Sequence, residues 1–241
     1  MSRAPEPVDA AAERAARPLD RLRVLAKQDV VVAPGLRHIE AYTLEGLLTY
    51  LWHGDAAAPR MVLCCGGAMG GLLGPANGLY HHLGATLAAQ GTGTIRVGYR
   101  RPNDVASCVL DVLGAADLAH RHGARRFVVV GHSFGGAVAI GAAAALRAVA
   151  AGVVTLATQS VACEPVALLG DVPLLLLHGD RDELLPLAAS EAVLAAAQGR
   201  GTLERLTGAG HLLVEAADAV RARLLDWIPD AFARMEASAD A

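Results

Sequence analysis

Four short stretches of this chain are apolar at nearly every position: RMVLCC (60–65), FVVVG (127–131), VVTLAT (153–158) and PLLLLHG (173–179). A strand with one wet face alternates apolar and polar residues. These do not alternate, so both of their faces must be covered. Between them lie stretches with helical spacing. GPANGLYHHLGATLAAQG sets Leu79, Leu83 and Leu87 on one side, and DVASCVLDVLGAADLAHRHG, GGAVAIGAAAALRAVAAG, ASEAVLAAAQGR and ADAVRARLLDWIPDAFARM follow in turn. TIRVGYR and TLERL read as two further strands. HIEAYT and LLTYLWHG flank Leu44-Glu45-Gly46 and predict a β-hairpin. The pattern predicts an α/β protein: a mostly parallel central sheet with helices on both faces and an antiparallel N-terminal hairpin.

With 241 residues and 54% apolar content, one sizeable core is expected. Residues 1–25 read as a tail or loosely attached helix, because Pro5, Pro7 and Pro18 interrupt them, and residues 26–241 as a single domain. Arg14, Arg17, Arg21, Arg23 and Lys27 form the densest basic cluster. Glu13 and Asp20 interleave with them, which makes a solvated face. The net charge of −3 gives no electrostatic footprint for nucleic acid. Phe127 to Leu146 is twenty residues without a formal charge, long enough to cross a bilayer. GHSFGG breaks it, so no membrane span is expected. Cys64, Cys65, Cys108 and Cys163 show neither CxxC nor zinc spacing, and the first 25 residues hold no apolar signal core. A reduced, cytoplasmic setting is the expectation. His81, His82, His120 and His122 lack ligand spacing with a carboxylate, so no metal is expected. Oligomeric state is left open.

Gly131-His132-Ser133-Phe134-Gly135 stands between an apolar strand and a small-residue helix. A G-x-S-x-G turn at such a place strains the serine backbone. Glycines two positions away remove side chains that would collide. The serine hydroxyl then stands at the sheet edge, at the positive end of the following helix. A serine needs a base, and the base an orienting partner. HGDRDELLP offers Asp180 and Asp182 at the end of one strand, and GAGHLLVE offers His211 in a glycine-rich loop after another.

The set GHSFGG, HGDRDELLP and GAGH resembles the α/β-hydrolase fold superfamily, in the chain order Ser, acid, His, over most of residues 29 to 228. The resemblance implies Ser133 as nucleophile and His211 as base. It prefers Asp182 as the acid, three positions after Gly179, and leaves Asp180 to cap its loop. It implies two backbone donors to a developing oxyanion. One is the N–H of Phe134. The other is Gly67 or Ala68, in the loop Cys65-Gly66-Gly67-Ala68-Met69-Gly70-Gly71. Relatives often carry His-Gly where this chain has Cys65-Gly66, and a backbone donor tolerates that change. The same loop lacks the Lys-Ser/Thr of a P-loop and does not match G-x-G-x-x-G.

Ser160 to Val172 is too short for a helical lid, so little or no lid is expected. The chain thus resembles small lid-poor serine esterases and dienelactone-hydrolase-like proteins, although dienelactone hydrolase uses a cysteine where Ser133 stands. Arg100, Arg101 and Gln159 lie at strand ends on the active edge and are candidate substrate contacts. The expected function is hydrolysis of carboxylic esters or thioesters through an acyl-enzyme, with a small-molecule acyl substrate and no cofactor. The alternatives are a non-catalytic protein of this fold that binds a ligand or partner, or an acyltransferase, perhydrolase or C–C hydrolase using the same residues.

Overall fold

The structure, a computed structural model, describes residues 17–239. Its centre is a nine-stranded sheet of order β1-β2-β3-β5-β4-β6-β7-β8-β9. The strands are β1 (Val24–Ala33), β2 (Leu36–Thr43), β3 (Gly46–His53), β4 (Arg60–Cys65), β5 (Thr92–Gly98), β6 (Arg126–His132), β7 (Ala150–Leu156), β8 (Leu174–Gly179) and β9 (Thr202–Leu206). β1, β2 and β3 pair antiparallel, and β3 meets β5 antiparallel. From β5 through β9 all pairings are parallel.

The helices are α1 (Pro18–Arg21), α2 (Pro75–Ala89), α3 (Val105–His122), α4 (Phe134–Ala145), α5 (Leu187–Ala196) and α6 (Ala217–Ala239). The central strands divide their side chains between two cores. Met61, Leu63, Val129, Val153 and Leu176 pack with α3, α4 and α5. Val62, Val128, Val130, Leu175 and Leu177 pack with Leu79, Leu83 and Leu87 of α2 and Val220, Leu224 and Phe232 of α6. Two apolar faces per strand explain the unbroken apolar runs. Tight packing of α4 on the sheet uses its small residues: Ala137, Ala139, Ala142 and Ala143 are all buried.

The hairpin expectation is met by β2 and β3, and β1 extends it to three strands. The tail boundary expected at residue 25 falls inside β1. Residues 1–16 lie outside the described residues, but α1 and Leu22 do not trail: Leu22 is buried against α3, where a Cβ on Gly114 would overlap its side chain. The uncharged run 127–146 is β6, a sharp turn and α4. No helix among the described residues is long and apolar enough to cross a membrane. β7 and β8 are joined by a single 3-10 turn, Glu164–Leu168, whose Val166 is buried. The four cysteines are free and buried.

Candidate active site

Parallel strands deliver their C-terminal ends to one edge of the sheet, and the loops there converge. Ser133 joins β6 to α4 with φ 56 and ψ −122, a conformation costly for a non-glycine residue. The strain is held by bonds on both sides: Ser133 N–H donates to the Leu156 carbonyl (2.8 Å), and Gly136 N–H to the Ser133 carbonyl (2.9 Å). A Cβ on Gly131 would overlap the Gly135 carbonyl oxygen. One on Gly135 would overlap the carbonyls of Cys65 and Gly66. The glycines therefore let the turn close on itself and press against the end of β4. Among these residues Ser133 alone is partly exposed, while Gly131, His132, Phe134 and Gly135 are buried.

The β4 loop reaches Ser133 through Gly67: a Cβ there would stand 3.9 Å from Ser133 Cβ and 3.8 Å from His132 Nδ1. Gly70 N–H donates to the Gly67 carbonyl (2.9 Å), closing a turn that leaves Ala68 partly buried at its tip. Phe134 is the first residue of α4, where backbone N–H groups have no intrahelical acceptor. Its ring packs edge-on against Tyr99, at 6.4 Å between centroids, and Tyr99 O–H donates to the Gly66 carbonyl (3.2 Å).

Asp182 and His211 meet across the β8 and β9 loops, with His211 Nδ1 2.8 Å from Asp182 Oδ2. Asp182 Oδ1 accepts from the N–H groups of Leu184 (2.9 Å) and Leu185 (2.8 Å). Burial works to raise the Asp182 pKa. The Leu185 N–H, the His211 ring and the Leu184 N–H outweigh it and hold the carboxyl below its ordinary value. Asp180 instead accepts from Gly208 N–H (2.7 Å) and pairs with Arg205 (2.8 Å), pinning the loop that carries His211. His211 N–H donates to Glu183 (3.2 Å). Among the described residues no hydrogen bond joins Ser133 Oγ to the His211 ring. Such bonds often tighten only with substrate present.

Two histidines that the sequence reading did not use support this pair. His178 Nε2 lies 3.3 Å from Asp182 Oδ2 and donates to the Leu185 carbonyl (3.1 Å), while its Nδ1 accepts from Ser190 Oγ (2.7 Å). The signal was the HG pair itself, four residues before Asp182. His132, inside the turn, donates from Nε2 to the His211 carbonyl (3.0 Å) and lies 4.9 Å from the His211 ring, centroid to centroid. Burial pushes its pKa down to about 4, so it is neutral at pH 7.

The expected substrate contacts fare differently. Arg100 is corrected: its side chain is 1% exposed, held by buried Asp111 and by Glu45 (3.0 Å), and so is unavailable to a ligand. Arg101 is exposed, in a loop whose Pro102 touches the Gly67–Gly70 turn. Gln159 lies beside the site but turns its Nε2 to the Val161 carbonyl (2.8 Å). Thr158, next to it, donates weakly to the Ser133 carbonyl (3.4 Å). Among the described residues no three His, Cys, Asp or Glu side chains come together as metal ligands.

Residues 110–217, which span Ser133, Asp182 and His211, match a family described as phospholipase/carboxylesterase. No curated protein matches the chain. Among solved structures, Est1E from Butyrivibrio proteoclasticus is similar at 15% identity and a TM-score of 0.70, covering 81% of this chain and 99% of its own. Dienelactone hydrolase from Anabaena variabilis is 21% identical with a TM-score of 0.67, over 85% of this chain and 98% of its own. An α/β serine hydrolase homologue from Coxiella burnetii is 17% identical with a TM-score of 0.63, over 78% and 96%. With its strand order and the loops at one sheet edge, this chain is an α/β-hydrolase-fold protein.

Proposed function

We propose that the protein is a serine hydrolase of carboxylic esters or thioesters. What supports this reading is a strained, partly exposed Ser133 with the Gly67 backbone beside it, and an Asp182–His211 pair tied to the same turn through His132. In the proposed reaction Ser133 Oγ attacks the acyl carbonyl, and His211 Nε2 takes its proton. Asp182, already bonded to Nδ1, fixes the tautomer that leaves Nε2 free to accept. The N–H groups of Phe134 and Gly67 stabilise the oxyanion. His211 returns the proton to the leaving alcohol or thiol. Water, activated by His211, then adds to the acyl-enzyme and frees the acid and Ser133. Every proton and electron pair is carried by these side chains and water.

The cysteines support serine as the nucleophile. Burial pushes Cys163 up to about 11 and Cys108 up to about 12, far from thiolate at neutral pH. The test is turnover of an acyl-ester and acyl-thioester panel by wild type and Ser133→Ala. Near-wild-type turnover by a folded Ser133→Ala protein would sink the mechanism.

A further inference from the structure

The sheet ends in two strands, and they are finished differently. β9 is five residues long, and its two charged side chains are paired within the chain: Glu204 to Arg223 (2.7 Å) and Arg205 to Asp180 (2.8 Å). β1 is ten residues long and exposed at every one. Its outer edge has no partner among the described residues. One third of the exposed large apolar residues among those described lie in it: Val24, Leu25, Val30, Val31 and Val32. A long, apolar, unpaired edge is a template for another strand.

The sequence of β1 says which strand. Read against itself in the antiparallel direction about Gln28, VLAKQDVVVA is self-complementary. Lys27 faces the partner's Asp29, and Asp29 faces the partner's Lys27. Ala26 faces the partner's Val30, Leu25 the partner's Val31, and Val24 the partner's Val32. Within one chain Lys27 Nζ already lies 3.4 Å from Asp29 Oδ2, so the two share a face. The second copy would set four charges there in alternating sign. The register also suits the backbone. Outward-pointing N–H and C=O groups belong to alternate residues, and this pairing matches even positions with even and odd with odd. A register one residue away would lose that match and put Lys27 against Val30 or Gln28, with no carboxylate opposite it. β1 pairs regularly with β2 only from Ala26 to Val31, with irregularities on either side. Within that run the self-pairing joins Ala26–Val30 of the two copies, and Val31 of one copy would meet Leu25 of the other at its end. A two-fold contact uses the same edge on both copies, so it closes at two.

We propose that β1 is a dimerisation edge, at which two copies pair antiparallel about Gln28 and join their sheets into one. Lysine on an edge strand normally discourages pairing. Here it favours one register, because that register sets a second carboxylate, the partner's Asp29, directly opposite it beside its own Asp29.

The test uses the full chain. Sedimentation equilibrium of wild type is expected to show a monomer–dimer equilibrium. Val31→Lys, opposite the partner's Leu25, is expected to raise the dissociation constant at least tenfold with an unchanged circular dichroism spectrum. If Val31→Lys misfolds, Lys27→Glu reads the same contact from an exposed side chain, and it too is expected to dissociate the pair. The register is read by oxidative cross-linking, since all four native cysteines are buried. Gln28→Cys sits on the two-fold axis and is expected to link copies readily. Ala26→Cys, which faces the partner's Val30, is expected to link them poorly. A wild type that stays monomeric at its highest soluble concentration would overturn the proposal, whether its β1 amides exchange freely or are covered by another segment of its own chain. So would a dimer that survives these substitutions, or one that cross-links through position 26 as well as through 28.

Discussion

Around Ser133 almost every group is enclosed and committed. Gly131 and Gly135 leave no room for a Cβ against the Gly135 carbonyl and the end of β4, His132 is bonded to the His211 loop, and Asp182 has donors on both oxygens. Along β1 the reverse holds: side chains are open on both faces, and half of the backbone groups face outward. The same rule governs both regions, since polar backbone groups must find partners. At the turn one chain supplies most of them, such as the Leu156 carbonyl for Ser133 N–H and Gly136 N–H for the Ser133 carbonyl, which holds the strained geometry in place. At the edge the chain leaves them to water or to a second copy. Rigidity at one place and incompleteness at the other therefore mark different tasks.

Breaking the enclosed region carries the largest cost. Ser133→Ala and His211→Ala are each expected to lower kcat for ester turnover at least about a thousandfold without loss of fold. Asp182→Asn keeps the shape but favours the wrong His211 tautomer, and a fall of about a hundredfold to ten-thousandfold is expected from steady-state kinetics. Gly131→Ala drives a methyl into backbone rather than into a yielding side chain. Denaturant unfolding should show a loss of about 3 kcal/mol, with activity falling too.

Acid separates the two regions further. Burial pushes both His132 and His53 down to about 4 from the usual 6.5. Between those values the unfolded chain binds protons that the folded chain refuses, so stability rises with pH across that window and is full above it. His132 alone accounts for a change on the order of 3 kcal/mol. Asp182, with its lowered pKa, acts in the same direction at lower pH. The unfolding midpoint should climb from pH 4 to 6.5, and His132→Asn should flatten that climb. Substitutions in β1, which has no histidine, should leave it unchanged. The smallest effect belongs to the edge: Val31→Lys should leave ester kcat within about twofold of wild type, because nothing at Ser133 rests on β1.

The turn was legible in the sequence because its constraints are local. Strain at one serine and closure against Gly135 demand glycines at fixed offsets, and the parallel order of the strands brings the acid and histidine loops to the same edge. β1 was not legible for the same physical reason that makes it notable. Strand periodicity is a record of one buried face, and VLAKQDVVVA has none. Its first residues were therefore assigned to the tail. Arg100 misled for another reason. Its partner Asp111 sits in the apolar run of α3, and only the folded chain shows that the two neutralise each other in the core. His178 was overlooked because one polar residue at the end of an apolar strand reads as the strand's boundary, not as a support for Asp182.

The proposed reaction requires Ser133 to be an activated nucleophile that a reagent can reach. The most direct measurement is intact mass after treatment of wild type and Ser133→Ala with a fluorophosphonate probe. One adduct is expected on the wild type and none on the variant. A folded wild type that takes no adduct, or a Ser133→Ala protein that takes the same one, would contradict the proposed reaction.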